Sequence, residues 1–158
     1  MAQNHPHRLH LLRFLFRCYC ITLLVLLFCR VPSGSQQPYW DRIRGSLNLV
    51  PFRSITVYLY LLLLRPYPEL LPYVWFNFVG NILLFIPLGV LLPCLSRRLR
   101  RFSKLMVSVT VLLFFLELTQ LLTLLGSFDI DDIILNLLGT CLGYGIFRFL
   151  PKRWNDIQ

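Results

Sequence analysis

The chain has 158 residues, 56% of them hydrophobic and only 15% charged, with a net charge of +9. A soluble domain this small buries only part of its surface, so this much apolar side chain excludes a water-soluble fold and points to an integral membrane protein. The charge does not indicate nucleic-acid binding: no basic run is interleaved with base-stacking aromatics outside the apolar segments, and Lys and Arg collect where cytoplasmic loops would lie.

In chain order, residues 1–10 read as a cytoplasmic tail carrying His5, His7 and His10. The first apolar segment runs from about 11 to 29, with Arg13 and Arg17 in its first half, where they can snorkel to the headgroups. Basic residues before a short apolar stretch also describe a secretory signal peptide, but Ser33 and Ser35 make a weak cleavage site without an Ala-x-Ala pattern. Residues 30–72 read as an external segment, opened by the breakers Pro32, Gly34 and Pro38. Within it, Ile55–Leu64 is apolar but about half the length of a spanning helix, so it is expected to be re-entrant or interfacial.

Three further spans are expected over about 73–95, 105–125 and 130–150. The second begins in an aromatic cluster suited to a membrane interface, and Gly126 is the expected terminator of the third. A C-terminal tail, 151–158, follows. The fold expected is an all-α polytopic membrane helix bundle in one domain, 11–150, with about four spanning helices. Four spans with both termini in the cytoplasm place eleven of the sixteen basic residues inside, including the cluster from Arg97 to Lys104. A fifth span at Ile55–Leu64 would put that cluster outside, against the positive-inside tendency.

The carboxylates need the most explanation. Of seven acidic residues, Glu117, Asp129, Asp131 and Asp132 fall between 117 and 132. An ionisable group at membrane depth is expensive and is a functional candidate for that reason. Asn77 and Asn81 share one helix face, as do Glu117 and Gln120, and so do Asp129, Asp132 and Asn136. At 1.5 Å per residue, Asn81, Glu117 and Asn136 lie about 10 Å below the external boundary. Their convergence would make a small polar site open to the outside. The amides equally suit interhelical hydrogen bonding, and Asp131 suits a helix N-cap or a solvated carboxylate. Gly139 and Gly143 suit helix packing. The five cysteines form no CxxC pair and have no nearby histidine, so neither a metal nor a cofactor is expected.

Four motifs occur together: Asn48-Leu-Val-Pro-Phe52; Asn77-x3-Asn81-x3-Phe85-Ile-Pro-Leu-Gly89 with Pro93; Glu117-x2-Gln120; and Phe128-Asp-Ile-Asp-Asp-Ile-Ile-Leu-Asn136-x2-Gly139. Over about residues 15–148 the chain resembles the VanZ-like membrane proteins. It departs from them at Gly126-Ser127, where many relatives carry an Arg that could pair with an aspartate. The resemblance implies a multi-pass protein of the bacterial cytoplasmic membrane, an envelope role and reduced action of lipoglycopeptides such as teicoplanin. It implies no particular reaction.

Two function classes follow. One is a non-catalytic protein binding membrane lipid, a lipid-linked cell-wall precursor or the lipoglycopeptide itself. Its candidate residues are Asn48, Phe52, Arg53, Asn77, Asn81, Glu117, Gln120, Asp129, Asp132 and Asn136. Arg42, Arg44, Arg53 and Arg65 would face phosphates or simply anchor at headgroups. The other is an intramembrane enzyme for a lipid or isoprenoid substrate, with Glu117 and Asp132 as catalytic candidates and with Glu117, Asp129 and Asp132 able to hold a Mg²⁺-type cation. No Ser–His or Cys–His pair can form, because every histidine lies in the N-terminal tail. The non-catalytic class is favoured, since a cluster of acids alone is not a mechanism.

Overall fold

The computed structural model describes residues 6–29, 36–64 and 67–150. The tail residues 1–5 and 151–158, the breaker run 30–35 and Arg65 lie outside the described residues. Six α-helices account for nearly all of the rest: α1 (Pro6–Phe28), α2 (Tyr39–Gly45), α3 (Arg53–Leu64), α4 (Leu71–Leu95), α5 (Phe102–Thr123) and α6 (Ile130–Phe149). Four stretches are long and apolar enough to cross a membrane, namely Leu9–Phe28, Pro68–Leu95, Phe102–Thr123 and Ile130–Phe149. The protein is therefore a four-span helical bundle, as the hydropathy pattern requires.

Apart from a few polar positions, these helices carry apolar side chains on their exposed as well as their buried faces, which suits helices bathed in lipid rather than water. On α1, Leu12, Leu23 and Leu27 are buried while Leu11, Phe14, Ile21, Leu24 and Leu26 are exposed. The main core joins Leu23 and Leu27 to Phe85 and Leu88 of α4 and to Leu105, Val109 and Leu113 of α5. Leu12, Cys94 and Phe147 form a second cluster. The beginning of α1 and the ends of α4 and α6 thus meet at one end of the bundle, beside the basic turn Arg97–Arg100. There the Tyr144 hydroxyl donates to the Arg100 carbonyl at 2.8 Å.

Helices α4 and α6 run side by side in the same direction at backbone contact. A Cβ on Gly139 would strike the Ile82 carbonyl, one on Gly143 the Ile86 carbonyl, and one on Gly89 the Thr140 carbonyl. Glycine is needed at all three positions because the obstacle is backbone that cannot rotate away. Close approach through small residues is how spanning helices gain packing when lipid supplies no hydrophobic drive.

At the opposite end the described parts of the connections form short helices and a strand pair. Residues 36–54 contain a helix, α2, whose Ile43 is buried against Leu121 and Phe128. Helix α3 has 12 residues and measures about 18 Å, too short to span. It packs on α4 and places Tyr58 edge-on to Phe78, with ring centroids 6.4 Å apart. Helix α5 stops earlier than Gly126. Leu124 takes the left-handed conformation (φ 54°), and the N–H groups of Leu125 and Gly126 donate to the Gln120 carbonyl at 3.1 and 3.3 Å. Two short parallel strands, β1 (Leu47–Asn48) and β2 (Phe128–Asp129), then pair with Asn48 opposite Asp129.

Candidate functional site

That strand pair brings the Asn48–Phe52 motif onto the Phe128–Asp132 motif, 80 residues away in sequence, and Asp131 locks them together. Its side chain is fully buried. Its Oδ1 accepts the Phe52 N–H at 2.6 Å, and its Oδ2 accepts the N–H groups of Ser54 and Ile55 at 2.7 and 3.1 Å. The first N–H groups of any helix lack partners within that helix, and the helix dipole makes that end positive. Asp131, in the first turn of α6, supplies both the acceptors and the negative charge to the start of α3. It is neither solvated nor the cap of its own helix.

Asp129 has that second role. Its Oδ1 accepts the Asp131 N–H at 2.9 Å, the usual geometry of an N-cap. The same oxygen accepts the Asn48 amide at 3.1 Å, and Oδ2 accepts the Ser54 hydroxyl at 2.6 Å. The Asn48 amide also reaches the Ser54 Oγ at 2.9 Å. Behind this junction, Glu117 of α5 is buried and its Oε2 faces the Asp129 N–H at 3.4 Å.

The remaining polar residues divide. Asp132, half-buried, accepts the Asn81 amide of α4 at 2.7 Å, an interhelical bond directly above the glycine contacts. Tyr58 of α3 lies within electrostatic reach of Asp132, Tyr73 and Asp129; burial first, then these neighbours, pushes its phenol pKa up. Gln120 is buried, and its amide ties α5 to the end of α1 through the Leu27 carbonyl at 3.0 Å. Asn136 is buried with its Oδ1 lacking any hydrogen-bond partner among the described residues, and the Asn48 Oδ1 shares that condition. Asn77 turns away and donates to the Tyr73 carbonyl of its own helix at 2.7 Å. Arg53, Arg44 and the ring of Phe52 are exposed, and Arg42 is half-buried.

The VanZ-LLP1 family, described as VanZ/LLP1, matches residues 16–151, a range that contains the whole junction. The chain belongs to the VanZ/LLP1 family. Neither a curated protein nor a solved structure matches it.

Within this VanZ/LLP1 protein the acidic run is not one site. Asp129 and Asp131 have their oxygens occupied by backbone, hydroxyl and amide donors, while Asp132 points sideways at Asn81. Where many relatives carry an Arg, this chain has Gly126-Ser127, and Asp129 is served by Asn48, Ser54 and the α6 backbone instead. Among the described residues, no group of three or more His, Cys, Asp or Glu side chains is disposed to hold a metal ion.

Ser54 and Tyr58 were not singled out by sequence. For Ser54 the signal was present, since a serine at the head of an apolar run after a proline marks a helix start. Tyr58 carries no such signal inside an apolar run.

Phe52 holds a left-handed backbone (φ 65°), a costly choice for a residue with a β-carbon. The Asp131 carboxylate bonded to its N–H stabilises that conformation. Because the ring is 59% exposed, Phe52→Gly removes backbone strain and little packing. Thermal unfolding of that variant is expected to stay within about 1 kcal/mol of wild type or to move upward. A loss of function at unchanged stability would then assign the exposed ring to ligand contact.

Proposed function

We propose that this VanZ/LLP1 protein is a non-catalytic binding protein of the bacterial cytoplasmic membrane. It has both termini inside and takes an envelope lipid, a lipid-linked cell-wall precursor or the acyl portion of a lipoglycopeptide at its outer, polar end. Through that binding it reduces the action of drugs such as teicoplanin. Positive-inside charge supports the orientation: Arg97, Arg98, Arg100, Arg101, Lys104 and Arg148 share the end where α1 begins.

The observation that carries the reading is the division of the carboxylates. Asp129 and Asp131 serve the fold, whereas Asp132 sits half-buried on Asn81, between α4 and α6. An ionisable side chain at membrane depth, bonded across to a second spanning helix, is a ligand-binding candidate. An enzyme reading has less support, because two of the four carboxylates, Asp129 and Asp131, each already accept three hydrogen bonds that hold the fold together.

Susceptibility of a sensitive Gram-positive host tests this reading. Wild type, Asp132→Asn and Glu117→Gln are compared at equal membrane abundance. Wild type is expected to raise the inhibitory concentration of teicoplanin several-fold and that of vancomycin little, with the protection lost in Asp132→Asn. Well-expressed wild type that gives no protection would sink the resistance part of the proposal.

A further inference from the structure

Between the outer half of α1 and α4 lies an open groove with a volume of about 390 Å³, lined by Leu26 and Leu27 on one side and by Phe76, Leu83 and Leu84 on the other. Two features on its α4 wall set it apart from an ordinary lipid-facing surface. The first is Gly80, where a β-carbon would meet nothing within 4 Å. A glycine in a helix interior costs stability and here relieves no crowding within the protein. What it does is widen the groove.

The second is Asn81. The Asn81 amide turns its nitrogen to Asp132, donating at 2.7 Å, and so leaves its oxygen elsewhere. That Oδ1 accepts no hydrogen bond among the described residues, yet Asn81 lines the groove. A bare carbonyl oxygen facing hydrocarbon is unfavourable, and lipid tails offer it no donor.

We propose that this groove seats one hydrocarbon chain of a membrane amphiphile. A hydrogen-bond donor next to that chain, a hydroxyl or an amide N–H, meets the Asn81 Oδ1 beside Asp132. Both walls belong to membrane-spanning helices, so the medium that reaches the groove is the hydrocarbon of the bilayer. The vacant acceptor selects, among membrane amphiphiles, those that carry a donor at that depth. The inference rests on the binding function proposed above and specifies its ligand as chain plus donor.

The test uses the full chain in nanodiscs with a photoreactive long-chain fatty amide, compared with its N,N-dimethyl counterpart, which lacks a donor. Cross-linked peptides are mapped by mass spectrometry in wild type, Asp132→Asn, Gly80→Leu and Gly145→Leu. Gly145 is equally open to a β-carbon and controls for adding bulk to a spanning helix.

Wild type is expected to label within 26–27 and 76–84, about tenfold less in Gly80→Leu, unchanged in Gly145→Leu, and several-fold less with the dimethyl probe. Labelling undiminished by Gly80→Leu, or equal for both probes, overturns the groove assignment. Labelling lost in Gly80→Leu but kept in Asp132→Asn leaves the groove standing and overturns the reading centred on Asp132. If Gly80→Leu does not fold, Gly80→Ala supplies a smaller obstruction in the same open space.

Discussion

Asp131→Ala is expected to destabilise the protein by about 3–5 kcal/mol, since three N–H groups lose a charged acceptor whose bonds are worth about 1.5–3 kcal/mol each and are not additive. In a chain of this size that corresponds to a fall in melting temperature on the order of 10 °C. Asp131→Asn should fall between, because one oxygen remains while its amide turns donors toward donors. The loss should be localised first at α3, whose start Asp131 caps and whose side chains include none that are buried. Limited proteolysis should therefore cut within residues 47–64 of the variant under conditions that leave wild type intact. Asp41→Ala, on an exposed residue of α2, should shift stability by less than about 1 kcal/mol. Equal losses at both positions would contradict the capping role.

The second large effect concerns α4 and α6. Gly139→Ala and Gly143→Ala each direct a methyl group into a carbonyl of the facing helix, and the helices can accept it only by separating. Overpacking of this kind costs about 1–3 kcal/mol, and Leu in place of Ala should prevent docking altogether. Separation would also pull Asn81 from Asp132, because that bond spans the same pair of helices just above the contact. Function should therefore fail even where some folded protein survives. Gly145→Ala gives the contrast: its β-carbon enters open space, so helix propensity alone acts and stability should hold or rise by up to about 1 kcal/mol. Thermal unfolding of the three variants in one detergent separates these cases.

Much of the architecture is legible in the sequence because hydrophobic length is a local property. Four long apolar runs give four spans, and the brevity of Ile55–Leu64 keeps α3 from becoming a fifth. The small residues Gly139 and Gly143 could be read as packing positions from their spacing alone.

The acidic cluster is legible as unusual but not as to purpose. A buried carboxylate is costly only when unpartnered, and the partners of Asp131 are backbone N–H groups at the start of another helix. No side-chain pattern announces such donors. The strand pair that joins Asn48 to Asp129 is two residues long and carries no periodicity, so the coming together of two motifs 80 residues apart was invisible. The same holds for α2, which is seven residues long and held by one buried side chain, Ile43, and by the Tyr39 hydroxyl on the Leu122 carbonyl. Helical spacing also groups Asp129 with Asp132 and Asn136, but Asp129 precedes the helix as its cap, and its side chain turns back to the Asp131 N–H instead.

The most direct measurement is the lipid content of purified protein. Wild type and Asp132→Asn are prepared from the same membranes, checked for matching melting temperatures, and their tightly bound amphiphiles are identified by mass spectrometry. The account predicts that wild type retains one amphiphile enriched several-fold over its share of the bulk membrane, and that Asp132→Asn, equally folded, has lost that enrichment. The same bound lipids in both proteins, in bulk proportions, would contradict a binding site at Asp132.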